Sequence, residues 1–255
     1  MDMATRSLKS RIAAGNECFG LFCSIASAVA LEQVAAAGYD FVIIDLEHTL
    51  ISPEQVETLI LSAQATGIDV LVRVPPHTPH LVVQLLDAGA TGIVFAHIDD
   101  AAQAQQAVGL CHYAPRGQRG LNTTRVSRYG LDGLAEATRQ ATDETLVVVM
   151  VESRQGLDNA TAIATTAGVD VVLEGAADLS QALGVTWQTS HPLVKSAVEQ
   201  VCTATQSAGK AFCAIPRDPR DMQHWRGRQV SMFVIGDDRG VMRRAHQAHL
   251  ATHKE

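Results

Sequence analysis

Two apolar runs in the second half of the chain each lead to an acid. Leu146-Val-Val-Val-Met-Val151 stops at Glu152, and Val169 to Leu173, broken only by Asp170, runs through Glu174-Gly175-Ala176-Ala177 to Asp178. Apolar runs of this length read as buried parallel strands. Acids just past their C-terminal ends then share the face on which parallel sheets and barrels bind ligands. Two carboxylates there, with no sulfur donor beside them, suit a hard divalent cation. Mg2+ is the first choice and Mn2+ the second, with water and substrate oxygens completing the coordination.

Other ionisable residues fall at equivalent places. Asp45, Glu47 and His48 follow the run Phe41-Val-Ile-Ile44, and Arg73 stands near the end of Val70 to Val74. A guanidinium grips a carboxylate at two points, and an imidazole moves a proton near neutral pH. Taken singly, each has an ordinary explanation. Glu152 would pair with Arg154 at the surface, Arg73 with Asp45 or Glu47, and a lone histidine is usually structural. Six such groups at strand ends point instead to a catalytic rim. Elsewhere the signals are weaker: His77 and His80 flank prolines, and His246, His249 and His253 read as a solvated helix face.

The elements that would carry these groups alternate along the chain. Strands are predicted at Phe19 to Ile25, Phe41 to Asp45, Val70 to Val74, Gly92 to Ala96, from Leu146, from Val169, Lys210 to Ile215 and Met232 to Ile235. Helices are predicted between most of them, the clearest being the one opened by Ser52-Pro53-Glu54-Gln55 and closed at Gly67, with a cap, a first-position proline and a glycine stop. Eight strands alternating with helices predict a (β/α)8 TIM barrel in one domain, residues 1–255. Residues 1–18 form a helical N-terminal extension and 241–255 a closing C-terminal helix. An open doubly wound sheet is the competing fold, but no GxGxxG follows the first strand. At 255 residues the length suits one barrel, which typically takes about 250.

Composition narrows the function. A formal net charge of −7 argues against general nucleic-acid binding. No stretch approaches the ~20 apolar residues of a membrane span, and the N-terminal residues lack an apolar signal core, so a cytoplasmic protein is expected. Five scattered cysteines without a CxxC pair fit a reducing compartment. No Walker A, HExxH or GxSxG pattern is present, and no lysine ends a strand where it could form an imine.

With the motifs assembled, the chain resembles the HpcH/HpaI aldolase family. The residues that carry the resemblance are Gly20-Leu-Phe22, Asp45-Leu-Glu47-His48, Val72-Arg73, Gln84-Leu-Leu-Asp87-Ala-Gly89, Arg116-Gly-Gln-Arg119-Gly120, Val151-Glu152 and Gly175-Ala-Ala-Asp178-Leu-Ser180, in order from about Gly20 to Asp238. The resemblance implies a metal-dependent barrel of the class II pyruvate-aldolase type, assembled as a homo-oligomer (a dimer or trimer of dimers) with an exchanged C-terminal helix. Glu152 and Asp178 would hold the metal, Arg73 the keto acid, and His48 the proton, oriented by Asp87 of a neighbouring subunit. The amides after Gly175, at Ala176, Ala177 and Asp178, would face the substrate carboxylate.

Three departures stand out: Met150 where family aldolases carry Gln, Ala176 where they carry Pro, and Glu174 where they carry an apolar residue. Leu173 to Gln181, Phe212 to Arg217 and Ile235 to Gly240 resemble one branch, the citrate synthases of staphyloferrin B-type siderophore pathways. That branch implies condensation of oxaloacetate with acetyl-CoA. The phosphates of coenzyme A would need positive charge, and Arg116, Arg119, Arg125 and Arg128 concentrate in the loop before strand five, expected on the strand-end side. Asp45, Glu47, Met150 and Glu174 are expected to support the site from behind. Two other readings stay open: a class II aldolase releasing pyruvate from a 4-hydroxy-2-oxo acid, and a non-catalytic metabolite sensor. The joint presence of Glu152, Asp178, Arg73 and His48 speaks against the sensor.

Overall fold

Among the described residues, eight short and largely apolar strands solve their burial by closing into a ring. The structure, a computed structural model, describes residues 7–76 and 78–254; His77 and the first six residues of the expected N-terminal extension lie outside the described residues. The first half of the chain runs α1 (Leu8–Ala13), β1 (Cys18–Cys23), α2 (Ala28–Ala36), β2 (Phe41–Asp45), α3 (Pro53–Thr66), β3 (Asp69–Val74), α4 (Pro79–Ala88), β4 (Gly92–Phe95) and α5 (Ala101–Cys111). The second half runs α6 (Leu134–Glu144), β5 (Leu146–Val151), α7 (Arg154–Asp158), α8 (Ala160–Thr165), β6 (Val171–Glu174), α9 (Ala176–Ala182), α10 (Pro192–Ser207), β7 (Ala211–Ala214), α11 (Pro219–Gly227), β8 (Met232–Asp237) and α12 (Asp238–Ala251). All strands pair in parallel, in sequence order, with β8 returning to β1. The predicted (β/α)8 barrel is therefore observed, and an open sheet is excluded. Among the described residues, no helix is long and apolar enough to cross a membrane.

Side chains alternate across each strand. Val42, Ile44, Val70, Val72, Val147 and Val149 face outward into the layer shared with the helices. Phe41, Ile43, Leu71, Val94, Val148, Met150, Val171, Leu173 and Val234 fill the inside. Leu8 and Ile12 of α1 join that inner cluster, so α1 seals the barrel at the N-terminal ends of the strands. Gly20 of β1 stands beside Phe41 of β2, and a Cβ at Gly20 would lie 2.1 Å from the Phe41 ring.

Local signals set the helix boundaries where they are strong. Ser52 and Gln55 cap α3 reciprocally, and Gly67 ends it at φ +76°. Elsewhere the structure differs from the sequence reading. Two short helices, α7 and α8, fill the interval before β6, and β6 begins at Val171 rather than Val169 because Asp170 turns to accept from Lys9 Nζ (3.0 Å) and the Val147 N–H (2.9 Å). α11 was not anticipated, although Asp218 caps it and Pro219 starts it.

The placement of the long connection, residues 112–133, also needs correction. It leaves α5 at that helix's C-terminal end, which a β/α unit carries back to the N-terminal ends of the strands, opposite the catalytic face. It contains a 3-10 turn at Arg125–Gly130 that packs on α4.

All five cysteines are free and buried. Burial pushes the thiols of Cys18 and Cys202 up to about 11 and that of Cys23 to about 12. A raised thiol pKa leaves almost no thiolate below that pH, so at pH 8 the native protein should show no fast reaction with a thiol-specific disulfide reagent and should titrate all five in denaturant. Gly20→Ala should lower the unfolding free energy by about 1–3 kcal/mol through overpacking against Phe41, read by chemical denaturation.

Candidate active site

The inward face of the strands carries its alternation one step beyond the apolar core, and there the polar residues begin. Asp45 and Arg73 are register partners at the ends of β2 and β3. Arg73 Nε donates to Asp45 Oδ1 (2.9 Å), its Nη2 lies 2.8 Å from Asp45 Oδ2, and its Nη1 lies 3.1 Å from Glu47 Oε2. The Phe22 ring covers the guanidinium at 4.7 Å. Asp45 also accepts from the amides of Glu47 (3.0 Å) and His48 (3.4 Å), which fixes the turn that presents His48. Burial would raise the Asp45 pKa, but hydrogen bonding and charge contact with Arg73, helped by the two amides, hold it below the usual carboxylate range. The ion pair considered as the ordinary explanation of Arg73 is thus real, yet Arg73 still lines the mouth.

Glu152 stands just past β5 and is buried. Its Oε1 accepts from the His97 amide at 2.8 Å. The His97 ring lies between two acids, Nδ1 3.7 Å from Glu152 Oε1 and Nε2 3.3 Å from Glu47 Oε1. His97 adopts φ +52°, a left-handed conformation uncommon outside glycine. Burial is the main cause that pushes Glu152 up to about 7; the His97 amide and ring oppose this, while the charges of Glu47 and Asp178 add to it. Gly175 leaves room for Glu152: a Cβ there would meet Glu152 Cβ at 2.3 Å and Oε2 at 2.5 Å. Asp178 follows in the first turn of α9, whose opening amides have no intrahelical acceptor.

These groups surround one cavity of about 390 Å3 at the C-terminal mouth. His48, Arg73, Met150, Glu152, Glu174, Gly175, Ala176, Ala177 and Asp178 all line it, so nine of the sequence-predicted positions converge there. Three lining or neighbouring residues escaped sequence reasoning. His97 follows β4 without any motif. Trp187, exposed at φ +63°, stands at the rim. Arg217 follows β7, and its Nη1 donates to the Ile215 carbonyl (2.8 Å) and to Glu174 Oε2 (3.2 Å). Glu174 points outward from β6, fully buried, and also accepts the Ile215 amide at 2.7 Å. The Pro216-Arg217 step directly after an apolar strand was the available signal.

Other expected site residues lie elsewhere. Arg119 is buried and donates to Asp87 Oδ1 at 2.6 Å beneath the Tyr113 ring, so it has no open edge for a phosphate. Arg128 is folded onto Asp132, with Nε 2.9 Å from Oδ2. Arg125 lies 3.8 Å from Glu57, and neither it nor Arg116, Arg119 or Arg128 lines the mouth cavity. Asp87 stands in the last turn of α4, so any service to His48 requires a second subunit.

The donor set fits a hard divalent cation. Both acids offer oxygen, Glu152 Oε2 accepts no hydrogen bond among the described residues, and a buried carboxylate that resists ionising is relieved by a neighbouring positive charge. No ready-made group of three or more His, Cys, Asp or Glu donors occurs among the described residues, so the remaining ligands would come from water and substrate.

A closed (β/α)8 barrel with buried acids and arginines gathered at its C-terminal mouth defines an enzyme architecture. The chain belongs to the HpcH/HpaI aldolase/citrate lyase family, whose model matches residues 18–245. It is 33% identical to the hydroxypyruvate/pyruvate aldolase of Chromohalobacter salexigens over 94% of each chain. It is 32% identical to the 5-keto-4-deoxy-D-glucarate aldolase of Klebsiella pneumoniae, over 94% of this chain and 93% of that one. Among solved structures, the citrate synthase SbnG superposes with a TM-score of 0.91 at 39% identity, covering 97% of each chain. An HpcH/HpaI aldolase from Desulfitobacterium hafniense has the same TM-score at 28% identity, over 98% of this chain and 97% of that one.

Asp45→Asn would leave Arg73 buried with Glu47 as its one charged partner among the described residues. The variant should lose about 3 kcal/mol at pH 7. Because the folded pKa of Asp45 is depressed, its contribution is present above the ordinary carboxylate value near ~3.9 and vanishes as pH falls through the lower folded value. The gap in melting temperature between wild type and variant should therefore close as pH falls below ~4.

Proposed function

We propose that the protein adds acetyl-CoA to oxaloacetate and that water then hydrolyses the citryl thioester to give citrate and CoA, as a metal-dependent carbon–carbon bond-forming enzyme of siderophore biosynthesis. The observation that carries this reading is the mouth cavity, with Glu152 and Asp178 on adjacent β-strand ends and guanidiniums in its walls. Support for the synthase over the aldolase comes from the 39% identity to a citrate synthase across 97% of the chain.

Glu152 and Asp178 would hold the cation, Mg2+ or Mn2+, which when bound supplies Lewis-acid polarisation of a ketone. Arg73, with three of its N–H groups spent on Asp45 and Glu47, keeps two others for a substrate carboxylate. The amides that open α9, after Gly175, face the same cavity and add donors where negative charge develops. His48 is largely exposed at the rim, with Nε2 3.8 Å from Glu47 Oε2. Its Nδ1, the ring nitrogen not facing Glu47, takes the proton from the acetyl methyl group. In an assembly, Asp87 of a second subunit would orient that ring. α12 leaves Met242 and Leu250 exposed, which supports an oligomer with an exchanged C-terminal helix.

The class II aldolase reading keeps the same residues and is favoured by the 33% identity to a hydroxypyruvate/pyruvate aldolase and the 32% identity to a 5-keto-4-deoxy-D-glucarate aldolase. One experiment separates the two. Purified protein with Mg2+, oxaloacetate and acetyl-CoA should release free thiol and citrate, and EDTA should abolish both. Glu152→Gln should lower turnover by more than ~100-fold. A protein that releases pyruvate from 4-hydroxy-2-oxo acids and no thiol from acetyl-CoA is the aldolase.

A further inference from the structure

Two arginines face the mouth cavity, and their hydrogen-bonding edges are used differently. Arg73 spends its Nε–Nη2 edge on Asp45 and one Nη1 N–H on Glu47, which leaves one N–H on each Nη. Arg217 spends only Nη1, on the Ile215 carbonyl and Glu174 Oε2. Among the described residues, its Nε and Nη2 have no partner. The guanidinium is therefore held from one side, with its two-point edge unclaimed.

The surroundings of Arg217 are built to keep it there. Glu174, fully buried, binds both the Ile215 amide (2.7 Å) and the Arg217 guanidinium, so one acid fixes the turn and the side chain together. The Arg217 amide is tied to Asp221 Oδ2 at 3.1 Å, in the first turn of α11. Arg217 follows β7 and Arg73 ends β3, four strands apart in a ring of eight and thus on opposite walls. Asp178 and Glu152 lie between them on the β5–β6 side.

On the reading of the mouth as a 2-oxo acid site, we infer that Arg217 determines specificity by gripping, through Nε and Nη2, the second carboxylate of a dicarboxylic 2-oxo acid. A four-carbon diacid spans from the cation ligands toward Arg217, while pyruvate, with one carboxylate, leaves that edge empty. Glu174 is the positioning residue that holds the guanidinium. This also gives a role to the acid at position 174, where an apolar residue would leave Arg217 without its anchor.

The test is calorimetric binding in Mg2+ with freshly dissolved oxaloacetate and with pyruvate. Wild type should bind oxaloacetate at least ~10-fold more tightly than pyruvate. Arg217→Met should weaken oxaloacetate by ~10–100-fold and change pyruvate by less than ~2-fold, with Arg217→Lys intermediate. Because Arg217→Met alone strands a buried acid, the double variant R217M/E174Q removes both charges and should show the same selective loss. A wild type without preference for the diacid overturns the inference, as does a preference that survives in the double variant or an equal weakening of both ligands. Thiol release is not read here, so a diacid preference lost with Arg217 stands even if acetyl-CoA proves not to be a substrate.

Discussion

Too many carboxylates for the available positive charge is the condition under which this barrel's mouth is built. Asp45, Glu47, Glu152, Glu174 and Asp178 gather around Arg73 and Arg217. The arginines satisfy the β2–β3 side and the β6–β7 side. Among the described residues Glu152 receives an amide and an imidazole and no other partner, and burial pushes its pKa to about 7. A divalent cation would answer that imbalance, because it would replace a costly buried proton with a charge that several oxygens can share.

The arrangement follows from strand periodicity rather than from any special loop. Ile43 faces the inner core, and Asp45, two residues on, faces the mouth; Leu71 and Arg73 repeat the relation, as do Met150 and Glu152. Leu173 is followed two residues later by Gly175, whose missing side chain leaves the space that Glu152 occupies. Glu174, one step out of phase, points into the helix layer and serves β7 instead. A one-residue slip in β5 or β6 would exchange these roles.

That periodicity explains what the sequence disclosed. Parallel strands with both faces covered are apolar throughout, so all eight could be located, and the acids that end them stood out by contrast. Ser52, Pro53 and Gly67 marked α3 because capping is a local property. What depends on tertiary partners stayed hidden. His97 owes its place to a left-handed turn between two acids, and Arg217 to a glutamate more than 40 residues earlier. The loop arginines were expected on the strand-end side because charge was weighed without connectivity. A segment that follows a helix starts from the far end of the barrel, and there Arg119 closes on Asp87.

Leu8 and Ile12 of α1 pack among Cys18, Phe41 and Cys213, so water is kept from the N-terminal ends of the strands. Above them Ile43, Leu71, Val148 and Leu173 fill the interior, which makes the barrel a plug rather than a tube. A solute that enters the cavity over Glu152 therefore leaves on the side from which it came.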